Sequence, residues 1–517
     1  MIEFFNKRFF ILYIFPLFLG SITVFGFQPF NFFFINFLSF GCLFFLIVYV
    51  KKGSKSVYRK KPFLKNLFFL GTSFGFGFYL SGIHWIVQSL TFDESFKLLI
   101  PIGLIIIPLF LSLFFSMPII LIGSYMDKNI SSIILLSLAF AISDFLRATI
   151  FSGFPWNLWA YSFSWSLESL QILSLFGLFS FNFLVILIFF VPTVFFIKNN
   201  FKYIFISFFI IIFFSNFFYG SFKINSFKKN DENKVNFKIV SASLPLSEFI
   251  QKDRVLQKLI KFSSPEKDKK TIFIWPEGIF FGEEFNEIKN FKNIFQKNFS
   301  NNHLIIFGIN TSEKNDNKID YFNSLVVVDR NLNLISKYDK KKLVPFGEFL
   351  PFENILNKIG LKKITPGYSS FSKGIANPII ELEFDKNNLN FLALICYEII
   401  FPNMVEINKN KFNFIVNISE DAWFGNSIGP KQHFSKAIFR SIESGVYTIR
   451  SANKGISAFI SPTGEILKSL GPKEAGNIEM KLSILKTNKY TPKKSLIFFL
   501  LLITFISTFF VFRKFKI

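Results

Sequence analysis

Three side chains in the second half of this 517-residue chain stand where apolar, strand-like runs end. Cys396 follows Leu392-Ala-Leu-Ile, Glu277 follows Ile272-Phe-Ile-Trp-Pro, and Lys340 follows Tyr338-Asp. A thiol reacts as its thiolate and needs a base to become one; a carboxylate serves when burial raises its proton affinity. A tetrahedral intermediate at a carbonyl needs cationic or N–H donors beside its oxyanion, which a lysine supplies. Cys, Glu and Lys are thus a complete acyl-transfer set without histidine. Each also has a plain structural reading: a packing thiol, a capping carboxylate, and one of the consecutive solvated lysines Lys340-Lys341-Lys342. Among the histidines, His84 lies in an apolar stretch, His303 begins a strand-like run, and His433 falls in a helical pattern where a structural role competes with a site role. No zinc-type His/Cys cluster or phosphate-binding loop accompanies them.

The elements that must position these residues lie between about 228 and 490, where the texture is that of an extramembrane α/β domain. Strand-like runs are Thr271–Trp275, His303–Phe307, Tyr321–Asp329, Leu389–Ile395, Phe412–Ile418, Tyr447–Ser451 and Ile456–Ile460. Helical patterns separate them; in 430–444, Phe434, Ala437, Ile438 and Ile442 make one apolar face. Strands alternating with helices predict an open sheet with its site at the strand ends. Lysine-rich stretches 223–234 and 485–494 read as tethers to flanking apolar segments.

The rest of the chain is lipid-like. Hydrophobic residues make up 51% and charged residues only 18%, against about 25% charged in a soluble domain. That balance excludes a disordered or disulfide-framework protein. Cys42 and Cys396 are too far apart in sequence and setting to suggest a structural disulfide. Runs free of Asp, Glu, Lys and Arg cover 9–50, 66–92, 98–126, 148–167, 169–197, 203–222 and 495–512. At about 20 residues per crossing, they predict seven spans before 222, one of them over 131–150, and one after 494. The first is read as retained rather than as a cleaved signal. The net charge of +24 comes without any nucleic-acid motif and points to an anionic membrane surface. Basic residues cluster in alternate loops (Lys7-Arg8, 51–65, Lys128, Lys198 and Lys202, Arg513-Lys514-Lys516), which predicts cytoplasmic termini and a non-cytoplasmic 223–494. Asp144 and Arg147, three apart on one helical face, read as a mutually neutralised pair. Segment 153–165, with Trp156, Trp159 and Trp165, and His84-Trp85 read as outside loops, either an interfacial aromatic belt or a lipid-facing gate.

Longer strings narrow the reading. Trp-Pro-Glu277-Gly, Tyr-Asp-Lys340 and Cys396-Tyr-Glu, in that order, resemble the Glu-Lys-Cys triad of the nitrilase superfamily. Lys340-Lys-Lys-Leu-Val-Pro-Phe-Gly-Glu348, Asp421-Ala-Trp423-Phe-Gly, Gly429-Pro-Lys-Gln-His433, Gly153-Phe-Pro-Trp156 and Gly82-Ile-His-Trp85 are similar to the apolipoprotein N-acyltransferases, a membrane-embedded branch. The resemblance implies an eight-helix transmembrane bundle plus an extramembrane nitrilase-like αββα sandwich, divided as 1–222, 223–494 and 495–517. It implies an inner-membrane enzyme with a periplasmic catalytic domain. An acyl chain would pass from a membrane phospholipid through a Cys396 thioester to the α-amino group of a diacylated apolipoprotein, with no cofactor and no metal. Glu277 would be the base and Lys340 the oxyanion-side cation, with Asn323, Glu348, Tyr397, Glu398, Trp423 and His433 supporting the site or the substrate. Three features depart from the family pattern: Lys342 where His is usual, Glu420 where Asn is usual, and no tryptophan near Ile250. The competing readings are a membrane-anchored amidase, against which eight spans count, and a transporter, for which mid-membrane charge beyond Asp144 and Arg147 is missing.

Overall fold

The computed structural model describes residues 7–53, 60–227, 233–246, 251–280, 282–315, 318–356, 358, 363, 370–408, 411–485 and 493–517; the region near Ile250 and most of 485–494 lie outside them. The chain forms two compact units, Met1–Asn225 with Pro492–Ile517, and Ser226–Thr491.

The first unit is helical. Its long runs cover 7–26, Ile35–Gly53, Lys60–Ile83, Ile100–Ile122, Ile130–Thr149, Leu173–Val194, Phe201–Ser226 and Lys494–Lys514. Among the described residues six helices are long and apolar enough to cross a membrane, with Ile100–Ile122 extended by its flanks to Glu94–Tyr125, while Phe10–Gly26 is apolar but shorter. The chain from 223 to 226 continues a helix rather than starting a tether. Phe208, Ile211, Phe214, Phe218 and Phe222 of Phe201–Ser226 are exposed, an apolar exterior suited to lipid and not to water.

Small residues set the closest helix approach. A Cβ on Gly71 would meet Ser116 Cα at 2.6 Å and one on Gly75 would meet Ser112 Cα at 2.8 Å, so paired small residues let Lys60–Ile83 and Ile100–Ile122 touch along their backbones. The string Gly71-Thr-Ser-Phe-Gly75 also has the Gly-x-Ser-x-Gly spacing of a serine nucleophile elbow, but it is continuous helix without the strand-to-turn geometry such an elbow needs.

The tryptophan-rich segment corrects the interfacial reading. Trp156 and Trp159 are fully buried. Trp159 packs against Phe40 at 4.6 Å and Phe78 at 4.8 Å, and Trp156 against Trp85 at 4.6 Å. Only Trp165 of the three is partly exposed. The cause is a polar staple: Arg147 donates to the Phe154 carbonyl at 2.6 Å, and Asn182 accepts from the Ala160 amide at 3.0 Å, which draws the segment into the bundle. Arg147 also donates to Asp144 at 2.9 Å, and Asn182 donates to the other Asp144 oxygen at 2.9 Å.

The second unit has twelve strands in the described residues: β1 (Lys234–Ser241), β2 (Thr271–Ile274), β3 (His303–Asn315), β4 (Lys318–Val328), β5 (Leu334–Asp339), β6 (Ile379–Phe384), β7 (Asn387–Ile395), β8 (Phe414–Glu420), β9 (Tyr447–Asn453), β10 (Ser457–Ile460), β11 (Ile466–Leu470) and β12 (Gly476–Ser483). They make two six-stranded sheets, β12-β1-β2-β3-β4-β5 and β11-β10-β9-β8-β7-β6, rather than one open sheet. Strands β1-β2-β3 run parallel in the first sheet and β7-β8-β9 in the second, each flanked by antiparallel neighbours. Strand alternation explains the layering. Ile272, Ile274, Leu304, Ile306, Leu325 and Val327 meet Phe391, Ala393, Ile395, Val416 and Ile418 between the sheets. Phe273, Trp275, Ile305 and Phe307, on the opposite face, pack against Leu256, Leu259, Phe295 and Phe299. Helices Lys252–Ser263 and Lys292–Asn298 supply that second core.

Candidate active site

Cys396 begins a tight turn, Cys396–Ile400, directly after β7. Its φ is +47°, a left-handed conformation that a non-glycine residue holds only when its surroundings enforce it. Two groups do so. Glu398 accepts from the Ile395 amide at 2.9 Å just before the turn, and His433 Nε2 lies 3.3 Å from the Cys396 carbonyl. Burial pushes the Cys396 thiol well above the ordinary thiol value; the Glu277 charge adds to the rise, while Lys340 and a hydrogen bond with Ser419 oppose it. The proton therefore stays on sulfur until a base removes it.

Glu277 follows β2, and Gly308 of β3 passes so close that an added Cβ would meet Glu277 Cα at 2.7 Å. One Glu277 oxygen accepts from Asn323 Nδ2 at 2.8 Å, and the other accepts from the Glu420 amide at 2.9 Å. Lys340, at the end of β5 and fully buried, lies 2.9 Å from Glu348 and 3.5 Å from Glu277. Asn323 also donates to Glu348 at 2.7 Å, and the other Glu348 oxygen accepts from the Val344 amide at 2.8 Å. Burial works against the Lys340 ammonium, but the carboxylates of Glu348 and Glu277 outweigh it and hold Lys340 above the ordinary lysine value. Two carboxylates thus share one cation, and Glu277 has the longer contact.

The remaining predicted residues divide. Glu398 is fully buried: it accepts from the Tyr338 hydroxyl at 2.8 Å and the Lys341 and Lys342 amides at 2.8 and 3.0 Å. It therefore ties the lysine turn to the cysteine turn. His433 is equally buried, with Nδ1 3.0 Å from Asp421 and Nε2 toward the Cys396 carbonyl, beneath the cysteine turn. Burial holds His433 below the ordinary histidine value. Asp421 is held below the usual carboxylate range: burial opposes its charge, but Arg450 and His433 outweigh it. Tyr397 sets its ring 5.0 Å from Phe401, and Trp423 is half-buried in the turn Asp421–Phe424. His303 bonds to the Glu266 carbonyl and the Ser300 amide, apart from this cluster.

Sequence reasoning missed a supporting layer. Arg450 donates to Asp421 at 2.7 Å, and Asn453 donates to both Glu420 oxygens at 3.1 and 2.8 Å. Both come from β9, whose register sets Arg450 opposite Asn417 and Asn453 opposite Glu420. The sequence of β9 alone carries no signal for them; their partners follow from its pairing with β8. Among the described residues no group of three or more His, Cys, Asp or Glu is arranged to hold a metal ion.

Comparison with known proteins adds a lineage to this geometry. Residues 251–487 match the carbon-nitrogen hydrolase family, and residues 19–191 match the apolipoprotein N-acyltransferase N-terminal domain. A curated apolipoprotein N-acyltransferase of Rickettsia prowazekii is 32% identical over 79% of this chain and 82% of its own length. The chain belongs to the apolipoprotein N-acyltransferase family. A Rhodopseudomonas palustris apolipoprotein N-acyltransferase is 28% identical over 87% of this chain and 86% of that relative. The solved structure of Saccharomyces cerevisiae Nit3, a member of the nitrilase superfamily, covers 50% of this chain and 93% of its own, with 16% identity and a TM-score of 0.36. In this apolipoprotein N-acyltransferase family member, the nitrilase-like α/β half and the apolar helices thus match separate family models.

Proposed function

We propose that this membrane acyltransferase takes a fatty acyl chain from a phospholipid and places it on the α-amino group of a lipoprotein's N-terminal diacylglyceryl-cysteine. Glu277 takes the Cys396 proton, and the thiolate attacks the ester carbonyl of the donor. Lys340 stabilises the oxyanion of the tetrahedral intermediate. The lysophospholipid oxygen leaves with the proton from Glu277, and Cys396 holds the chain as a thioester. The acceptor amine then attacks that carbonyl, Glu277 takes the amine proton and returns it to the departing sulfur, and an amide forms. Asn323 and Glu348 position Glu277 and Lys340; Tyr397, Glu398, Trp423 and His433 support the cysteine turn or the substrate.

The eight helical runs are read as eight spans, with both termini cytoplasmic and the catalytic unit periplasmic in the inner membrane; the alternation of basic loops supports this. The three stretches are 1–222, 223–494 and 495–517. The observation that carries the mechanism is the sharing of Lys340 between Glu348 at 2.9 Å and Glu277 at 3.5 Å, which leaves Glu277 the less neutralised carboxylate. Water as the acceptor, the amidase reading, leaves the N-terminal acyltransferase domain at 19–191 without a task. Purified enzyme incubated with phosphatidylethanolamine and a diacylglyceryl-cysteine peptide will add one acyl mass to the peptide and release lysophospholipid in equal amount. Release of free fatty acid with the peptide unchanged would reject transfer.

A further inference from the structure

Beside the cysteine turn lies a cationic feature that the acyl-transfer steps leave unused. The Lys342 ammonium sits over the Phe401 ring, 5.0 Å from its centroid, and Tyr397 packs on the same ring at 5.0 Å. Lys342 is therefore next to the residue that follows the nucleophile. Lys373 joins it, because the Gly374 amide donates to the Lys340 carbonyl at 2.9 Å and so pins 373–374 against the lysine turn. Among the described residues neither ammonium has a carboxylate within ion-pair distance. Glu398, the carboxylate whose charge acts on Lys342, already accepts from one hydroxyl and three amides. Lys342 is half-buried, and burial followed by the charge of Lys373 makes its ammonium easier to deprotonate than an ordinary lysine's. A half-buried lysine and an exposed one on two segments bonded through their backbones concentrate positive charge that a bound anion would offset.

We infer that Lys342 and Lys373 form a subsite for the phosphate of the acyl donor on the flank of Cys396, with the buried Phe401 ring holding Lys342 in place. The inference rests on the acyl-transfer reading and names the part of the donor that this face recognises. A phosphate diester carries the charge that the pair lacks, and its ester oxygens connect to the glycerol bearing the reacting acyl group. Two flexible ammonium groups suit a phosphate as point charges, without demanding one head-group shape. The role is one of donor affinity, not of chemistry at the carbonyl.

The test measures acyl-enzyme formation from two donors carrying the same acyl chain: a phosphatidylglycerol and a neutral p-nitrophenyl ester. In Lys342→Gln the KM for the phospholipid should rise about tenfold, the scale of one lost charge-assisted contact, with kcat held within about twofold. The neutral ester should be used as by wild type, and Lys342→Arg should restore most of the phospholipid affinity. Lys373→Gln should show the same donor selectivity to a smaller degree, which keeps the inference testable should Lys342→Gln fold poorly. Inorganic phosphate should compete with the phospholipid in wild type and less so in Lys342→Gln; competition without donor selectivity would mean that free phosphate, not the lipid, is the ligand and would overturn the subsite. Equal losses on both donors, or none on either, would also overturn it. If wild type forms no acyl-enzyme from either donor, it is the acyl-transfer reading that falls.

Discussion

Each unit of this protein buries a cation against carboxylate, and the two clusters are built to opposite ends. In the helical unit Arg147 and Asp144 stand three residues apart on one helix, charge matched to charge. Both Asp144 oxygens are taken, by Arg147 and Asn182, and the other terminal nitrogen of Arg147 goes to the Phe154 carbonyl. The carboxylate is engaged on both oxygens, and the cluster staples a loop. In the catalytic unit Glu277, Asn323 and the Lys340–Glu348 stretch come from three separate segments, and two carboxylates divide one ammonium. A balanced pair consumes its own charge. An unbalanced one leaves a carboxylate only partly neutralised beside a thiol whose proton is firmly held.

The comparison breaks most readily at Glu277. Glu277→Gln keeps the Asn323 and Glu420 contacts sterically possible but removes the base, so the rate of Cys396 acylation should fall about 10²–10⁴-fold, measured by single-turnover quench. An unchanged rate would mean that the excess carboxylate is not the base. Glu348→Gln is subtler, since it converts the catalytic cluster into a one-to-one pair like Asp144–Arg147. Lys340 should then turn to Glu277 and neutralise it, with a loss of about 10²-fold in acylation. Because Glu348 is the foremost carboxylate holding Lys340 above the ordinary lysine value, the alkaline limb of the rate should also move to lower pH in this variant. No movement of that limb would separate Lys340 from the titration.

Asp144→Asn should have the reverse signature. It leaves Arg147 buried without its counter-charge, at a cost of about 3–5 kcal/mol, seen as a lower midpoint of thermal unfolding in detergent, while turnover per folded molecule stays near wild type. Lost turnover at full stability would give the pair a functional role. The smallest effect is expected at Glu479 on β12. Burial raises its proton affinity, but bonds from Lys269, Lys238 and Asn236 win and hold it at about 2. A depressed carboxylate contributes stability above its ordinary value and loses it as pH falls toward the folded value. Glu479→Gln should therefore flatten the decline in thermal stability between pH 4.5 and about 2. An unchanged acid limb would assign that decline to other carboxylates.

Much of this was legible in the residues. The seven strand-like runs correspond to β2, β3, β4, β7, β8, β9 and β10, because they are apolar stretches closed by polar residues. Strands β1, β5, β6, β11 and β12 were not, since lysines and glutamates interrupt them; in β1, Lys238 is buried only because Glu479 lies 2.9 Å away on β12. The tryptophan segment misled for a related reason. A charge-free aromatic run suits an interface or a core equally, and the choice depended on bonds from Arg147 and Asn182, which lie outside the run on the helices either side of it. At the site, Glu277 and Cys396 could be singled out because each follows a strand-like run, and Lys340 because it stands in the string Tyr338-Asp-Lys-Lys-Lys that resembles the family's. Arg450 and Asn453 could not, because their meaning comes from the β8–β9 register.

The most direct test of the account is the intact mass of the detergent-purified protein after incubation with a phospholipid of known acyl chain and no acceptor. Wild type should gain one acyl mass that neutral hydroxylamine removes, Glu277→Gln should gain it far more slowly, and Cys396→Ala should never gain it. An adduct of the same size and lability on Cys396→Ala would contradict the thioester, and with it the reading of Glu277 and Lys340 as its makers.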